Sequence, residues 1–389
     1  MSLFSKVYEH PVSSSTLLKA LRIRLPYSLP LYRRLQSQIR SPHAHVLATF
    51  PPGESQEAKN DPQELGLVPQ CFAAVFFDRS VRPETEMWAF VSGEMPEHDH
   101  GADKSTSNSS PSISTFHPLF TTPSTLSCPN CTSAFLSVLA YASTLEIPDV
   151  APENKPAYQL ALANATVSRE IGLAQHKSIT SASYLAHLLC RSVITLGTLH
   201  SSLRTVLTTN NVVRTEFPGL EMPYRKFIFR KSDFPALGAL PEGLRWGAVR
   251  AQDLKVIQAS TSIPRSSRTL LSLKSAAIYP KDSESPIAWA FLGLDGSLTS
   301  LHVQATYRGQ GLAKAVTTKL FREHMSSNEK EGEQDEWAHA DVFEGNVQSE
   351  GVCKSLGGKA FWTVFWVRLD LDRAKVTNSE AGSQVCTSF

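Results

Sequence analysis

The chain has 389 residues, room for two or three domains at about 150 residues each. With 41% apolar residues it can bury a substantial core, and a net charge of only +2 gives no general case for nucleic acid or an acidic membrane surface as partner. No apolar run is long enough to span a bilayer, the best candidate, 184–198, being broken by His187 and Arg191.

Residues 13–40 are basic and almost free of acid. Leu17, Leu18, Leu21 and Ile23 predict a short amphipathic helix stopped near Pro26, and a second helical piece runs 31–39. An Arg- and Ser-rich start of this kind also fits a mitochondrial transit peptide. The apolar positions continue straight into strand-like 45–50, which favours the first helices of a folded domain. Residues 1–17 lack an unbroken apolar core, so no secretory signal is expected. Six mostly scattered cysteines fit a reducing compartment, and the cytoplasm is the expected location, with mitochondria as the alternative.

Residues 71–77 and 87–91, rich in Phe, Val, Ala and Trp, predict a hairpin across the polar turn 78–86. Residues 93–129, crowded with Ser, Thr, Pro, His and Asp, read as a long disordered insertion. The Cys128-Pro129-Asn130-Cys131 motif closes it. Such a pair is either a redox motif or half of a zinc site, and a zinc site needs further ligands, for which the nearby candidates are His98, His100 and His117. With no second CxxC, the expectation is two unlinked thiols beside a loop and no metal.

From 133 to 207 the pattern is mainly helical, with apolar spacing of three to four over 134–145, 157–175 and 181–207. Residues 224–230 predict a strand, and 231–242, with Pro235, Gly238 and Pro241, a domain junction. The expected division is therefore an N-terminal mixed α/β domain over 1–240, a second domain over 244–371 and a flexible tail over 373–389. In the second domain, strands are expected at 244–249, 275–279, 286–292, 297–303, 337–342 and 361–369. Helices fall at 251–259, 266–273, 312–321 and 346–356, and 326–336 is a solvated acidic loop.

Residues 297–321 carry the chemistry. A strand leads through Arg308-Gly309-Gln310-Gly311 into a helix whose apolar positions are Leu312, Ala315, Val316, Leu320 and Phe321. The glycines let backbone approach a ligand closely, and the helix N-terminus offers unpaired N–H groups to an anion, so the turn predicts a phosphate or pyrophosphate pocket. A dinucleotide fingerprint would need Gly or Ala where Lys314 stands, and a P-loop would need a longer run ending in Gly-Lys-Ser/Thr.

What remains resembles the acyl-CoA signature Arg/Gln-x-x-Gly-x-Gly/Ala of the GNAT acyltransferase superfamily, here Arg308-Gly309-Gln310-Gly311-Leu312-Ala313. The element order of 244–371 resembles the GNAT fold. Asn346, at the start of a helix ending Leu356-Gly357-Gly358, is similar to a second GNAT signature. Gly296-Ser297, Trp289-Ala290-Phe291 and Thr306-Tyr307-Arg308 are most similar to the glycine N-acyltransferase branch, in which the N-terminal half is a degenerate GNAT-like layer. The fold class this implies is α/β, of the α+β kind.

The resemblance implies direct transfer of an acyl group from acetyl-CoA or another acyl-CoA, as co-substrate, to a small amine such as an amino acid. A non-catalytic acyl-CoA-binding protein is the alternative. It places the pyrophosphate on the N–H groups of Arg308 to Ala313, and the pantetheine along Leu301 and Val303 with Asn346 near it. The same Leu301–Val303 backbone would meet the oxyanion. The branch carries a Glu base where this chain has Ser297, and many members carry an acidic Tyr where it has Cys353. His302 is the side chain on the central strand suited to accept a proton at neutral pH. His302, Cys353 and Ser297 are thus the expected catalytic candidates.

Overall fold

The computed structural model describes residues 5–53, 68–99, 125–168, 187–217, 222–261, 265–324 and 337–375. These residues form one twelve-stranded mixed sheet carrying helices on both faces. The first half runs β1 (Tyr8–Glu9), α1 (Ser15–Arg22), α2 (Leu29–Gln36), β2 (Ala44–Ala48), β3 (Ala73–Asp78) and β4 (Met87–Val91). It continues through α3 (Pro129–Ala142), α4 (Lys155–Ser168), β5 (Val193–His200), α5 (Ser201–Thr209) and β6 (Tyr224–Arg230). The second half runs β7 (Leu244–Gly247), α6 (Leu254–Ala259), α7 (Ser267–Ser272), β8 (Lys274–Pro280), β9 (Ala288–Leu292) and β10 (Ser297–Val303). It ends with α8 (Leu312–His324), β11 (Trp337–Phe343), α9 (Val347–Ser355) and β12 (Lys359–Asp370).

Apart from α4, the two halves repeat one order: a strand, two helices, three antiparallel strands, a helix, a strand, a helix and a final strand. The second copy has the element order expected of 244–371, and the first repeats it. In each copy the fourth and fifth strands are parallel and paired over only two residues, Met87↔Leu196 and Trp88↔Gly197 in the first, Ser297↔His339 and Leu298↔Ala340 in the second. Beyond those pairs the strands diverge.

The halves exchange their last strands. The sheet order is β1-β2-β3-β4-β5-β12-β6-β11-β10-β9-β8-β7. Thus β6 pairs with β11 over its full length, and β12 pairs with β5. The junction at 231–242 divides the chain while the sheet runs on across it.

Each face has its own core. In the first half, α3 and α5 cover Val75, Leu196 and Val367 with Phe135, Val138 and Leu203, and α1 and α2 cover Phe72, Phe76 and Trp88 with Leu17, Leu21 and Leu31. In the second half, α8 and α9 pack Val316, Phe321 and Cys353 onto Phe227, Ile278 and Ala340, while α6 and α7 pack Leu254, Ile257 and Leu270 onto Tyr279, Trp289 and Phe291. The basic start of the chain is thus part of the core. Arg33 donates to the Trp337 carbonyl at 2.7 Å, and the buried Arg34 guanidinium stacks 3.7 Å from the Phe76 ring centroid.

The helix expected over 181–207 is a strand followed by a helix, β5 then α5, with 181–186 outside the described residues. Every residue of β5 is buried because it lies between two strands and under helices on both faces. Its apolar Val193, Leu196 and Leu199 stand three apart and its buried polar residues break any alternation, so its spacing matches a helix. Of the expected insertion, 93–99 form tight turns and 129 opens α3, while 100–124 lie outside the described residues. The acidic loop 326–336, the end of the helix expected over 157–175 and the tail beyond 375 also lie outside them. No helix of the described residues is long and apolar enough to cross a membrane.

Buried histidines give the fold a pH dependence. Burial, then the nearby Lys226 charge, holds His200 down to about 3 and His339 down to about 4, from an ordinary 6.5. Between 6.5 and those values the unfolded chain binds protons that the folded chain refuses, so acidification lowers stability. Burial raises Glu94 from 4.5 to about 8, so in that range the folded state keeps a proton that the unfolded chain gives up, and raising the pH lowers stability. Denaturant titrations should place maximal stability near pH 6.5, with losses of up to about 1.4 kcal/mol per pH unit for each histidine on the acid side. A stability flat from pH 4 to 8 contradicts this account.

Candidate active site

The site is built on β10. A tight turn brings the chain back from β9, with Gly293 N donating to Ser297 O at 2.7 Å and Gly296 at φ +77°. A Cβ on Gly296 would lie 2.9 Å from Arg33 Cγ, so glycine is needed there for the turn and for the approach of α2. Asp295 Oδ1 accepts from Ser297 N at 3.1 Å and from Ser297 Oγ at 2.6 Å, and its Oδ2 accepts from Trp88 Nε1 at 3.2 Å. Burial opposes its charge, but His339, the Ser297 donors and Lys226 hold the Asp295 carboxyl below the usual carboxylate range.

A buried polar chain fixes this turn to the exchanged strand. His339 Nε2 donates to the Asp295 carbonyl at 2.8 Å, and His339 Nδ1 lies 3.2 Å from Lys226 Nζ. Lys226, fully buried, lies 2.6 Å from Asp341 Oδ1 and donates to Thr198 Oγ1 at 2.7 Å. Lys226 belongs to β6 and Thr198 to β5, so the first half positions the start of the second half's central strand.

Next along β10 comes a bulge. Thr299 pairs with Phe291, but His302 pairs with Trp289, so one extra residue is absorbed at Ser300, which has φ +51°. The bulge puts His302 on the same sheet face as Ser297 and Thr299, whereas strict alternation would put it opposite. The imidazole stacks on the Trp289 indole, with 4.6 Å between centroids and 18° between planes. Burial, then the Arg308 charge, lowers its pKa from 6.5, so His302 is neutral at neutral pH. Among the described residues, no strand pairs with the β10 edge past Leu298 that faces β11.

The turn into α8 follows. Arg308 Nε donates to the Val303 carbonyl at 3.1 Å, folding that side chain back on the strand. Gly309 and Gly311 have φ +78° and +75°, and a Cβ on either would meet nothing within 4 Å. Among the described residues none of the Gly309, Gln310 and Gly311 N–H groups donates to a backbone carbonyl. Leu312 is buried beneath the helix and Ala313 stands in its first turn. Three backbone N–H groups without a backbone partner thus stand together at a helix start, an arrangement that suits an anion.

The remaining candidates are placed elsewhere. Asn346 caps α9, its Oδ1 accepting from Ser349 N at 3.1 Å. Cys353, 2% exposed, packs in the core under α9, where burial pushes its thiol up to about 12, so it does not reach the face carrying His302. The Ser297 hydroxyl is engaged with Asp295.

Sequence reading missed a cavity of about 380 Å³ against the pocket face of β10, walled by Ser297, Thr299, Trp88, Glu84, Arg265 and Arg268. Arg265 donates to Thr299 Oγ1 at 3.2 Å, and Glu84 accepts from Ser266 N and Thr269 Oγ1, so a loop of the first half caps α7 and closes the wall. No sequence signal joins residues so far apart.

A family model described as the acyl-CoA N-acyltransferase verG N-terminal domain matches residues 4–227. A search of the curated proteins finds no match. Among solved structures, a Drosophila protein from a structural genomics programme is similar at 13% identity and a TM-score of 0.52, over 94% of this chain and 98% of that one, and shows a shared fold. A tandem GNAT protein from the clavulanic acid biosynthesis pathway is similar at 8% identity and TM-score 0.42, over 94% and 98% of the two chains. A GCN5-related N-acetyltransferase from Sphaerobacter thermophilus is similar at 9% and 0.39, over 94% and 95%. Since the family model spans more than half of its length, the chain belongs to the acyl-CoA N-acyltransferase family of the verG N-terminal domain.

Proposed function

We propose that the protein transfers an acyl group from acyl-CoA to a small amine bearing a carboxylate, in a ternary complex on the face of β10. The observation that carries this reading is the open N–H array of Gly309, Gln310 and Gly311 at the start of α8, beside the unpaired edge of β10. The array holds the CoA pyrophosphate, the edge at Leu301 and Val303 holds the pantetheine, and the thioester then lies toward the cavity. Arg265 and Arg268, which line that cavity, suit an acceptor carboxylate.

The amine nitrogen attacks the thioester carbonyl, the C–N bond forms and the C–S bond breaks. A free N–H of the β10 edge donates to the oxyanion. The ammonium first loses one proton to solvent. Neutral His302 then accepts the proton that the amine gives up on attack, and that proton passes to the CoA thiolate, so the transfer releases one proton overall at neutral pH. His302→Gln should lower kcat by about 10²–10⁴-fold while leaving acyl-CoA affinity unchanged. Because burial and the Arg308 charge lower its pKa, the His302-dependent part of the rate should persist through its ordinary 6.5 and fall only at lower pH. A pH profile identical in His302→Gln removes its role as base.

One observation favours acyl-CoA binding without transfer: Ser297 is engaged by Asp295, and Cys353 is buried away from the site. Thiol release from several acyl-CoAs against amino acids, polyamines and peptides separates the two readings. Release with a carboxylate-bearing amine supports transfer, and binding without release across the panel supports the second.

A further inference from the structure

We propose that Cys71, His98, Cys128 and Cys131 form a structural zinc site in the first half of the chain. Their ligand atoms all lie within 4.8 Å of one another. Cys71 Sγ is 3.6 Å from Cys128 Sγ, and His98 Nε2 is 3.4 Å from Cys71 Sγ and 3.0 Å from Cys131 Sγ. Zinc held tetrahedrally at about 2.3 Å from sulfur and about 2.05 Å from nitrogen sets sulfur–sulfur edges of about 3.8 Å and sulfur–nitrogen edges of about 3.6 Å. The four side chains therefore already stand near the corners of a zinc tetrahedron. The sulfurs are far beyond the roughly 2.05 Å of a disulfide.

The fold delivers these ligands from three directions. Cys71 stands just before β3, His98 lies in the turn Pro96–Asp99 after β4, and Cys128 and Cys131 flank the start of α3. The N-terminus of α3 favours thiolates. Cys131 is fully buried and His98 nearly so, while Cys71 and Cys128 are half-buried. Ser92 Oγ, 3.4 Å from Cys131 Sγ, is an outer hydrogen-bond partner for that sulfur. Glycine at 93 lets the turn press onto the site, since a Cβ there would sit 3.2 Å from Cys131 Sγ and 2.5 Å from Leu126 Cδ1. Four protein ligands leave no open position, which marks a structural rather than a catalytic ion.

The position has meaning within the repeat. In the first half α3 corresponds to α8, so the CxxC pair stands where the second half has its glycine turn. One copy opens its helix to an anion, and the other ties its helix start to β3 and β4 through a metal. The ion links the ends of β3, β4 and α3, and on binding it displaces the protons of three thiols. The inference stands independently of the acyl transfer reading.

The full chain, purified from zinc-supplemented cells and stripped of loose metal by gel filtration, should carry about one zinc by elemental mass spectrometry. Cobalt(II) exchanged into it should give the near-ultraviolet thiolate charge-transfer band and strong visible bands of a tetrahedral sulfur-rich site. Cys128→Ser and Cys71→Ser should lose the metal and lower Tm, while Cys190→Ser and Cys353→Ser keep it. If the first two variants fail to fold, the cobalt spectrum of the unaltered chain still decides. Absence of zinc and of the cobalt bands overturns the proposal, as does metal that follows Cys190 or Cys353, or a disulfide among Cys71, Cys128 and Cys131 in place of the metal.

Discussion

Gly311→Asp is expected to abolish acyl-CoA binding while the protein stays folded. A side chain at 311 meets nothing within 4 Å, and its φ of +75° costs a non-glycine residue about 1–2 kcal/mol. The larger effect is electrostatic. A carboxylate about 4 Å from one phosphate charge costs on the order of 4 kcal/mol near a protein surface, which is roughly a 10³-fold loss of affinity. Gly311→Asn has nearly the same shape without the charge, and should lose only about tenfold. Equal losses in the two variants would show that backbone strain, not the anion site, governs binding. Unchanged affinity in both would move the pyrophosphate away from α8.

Lys226→Met should give the largest loss of stability among single changes at the seam between the halves. Lys226 is fully buried and holds Asp341, His339 and Thr198 together. Removing one partner of a buried ion pair leaves the other desolvated and uncompensated, at about 3–5 kcal/mol. At about 2–4 °C per kcal/mol, the thermal midpoint should fall by roughly 10 °C. Lys226→Met combined with Asp341→Leu removes both charges and should recover most of that loss. A single variant as stable as the parent would mean that water reaches Asp341. Because His339 also holds the Asp295 carbonyl, the single variant should loosen the start of β10 and weaken transfer more than acyl-CoA binding.

The second half was the more legible in sequence for physical reasons. Its strands are bounded by Pro, Gly and Asp turns, and its helix after β10 follows a glycine spelling that reflects local backbone geometry. Even the bulge left a trace, since Leu298 and Leu301 sit three apart within a strand yet share one core. The first half hid its architecture. β5, buried on every side, carries no alternation, and so passed for helix. The exchange of β6 and β12 is invisible because either strand satisfies the same alternating pattern beside either neighbour.

The same limit applies to side chains that meet only through the sheet. Cys128 and Cys131 announce themselves by spacing and His98 by its nearness in sequence, but Cys71 joins them only once β3 and β4 pair. His302 was legible as a titratable residue on the central strand, but its face was set by the extra residue at Ser300. The cavity beside Ser297 and Thr299 depends on Glu84 reaching α7 from the other half.

The central claim is that the chain holds a single acyl-CoA, on the glycine turn of its second half, because the matching helix of its first half opens on cysteines. Calorimetric titration of the full chain with acetyl-CoA and with longer acyl-CoAs tests this directly. The account predicts saturable binding of about one molecule per chain, lost in Gly311→Asp. Absence of binding to every acyl-CoA, or two sites per chain, contradicts it.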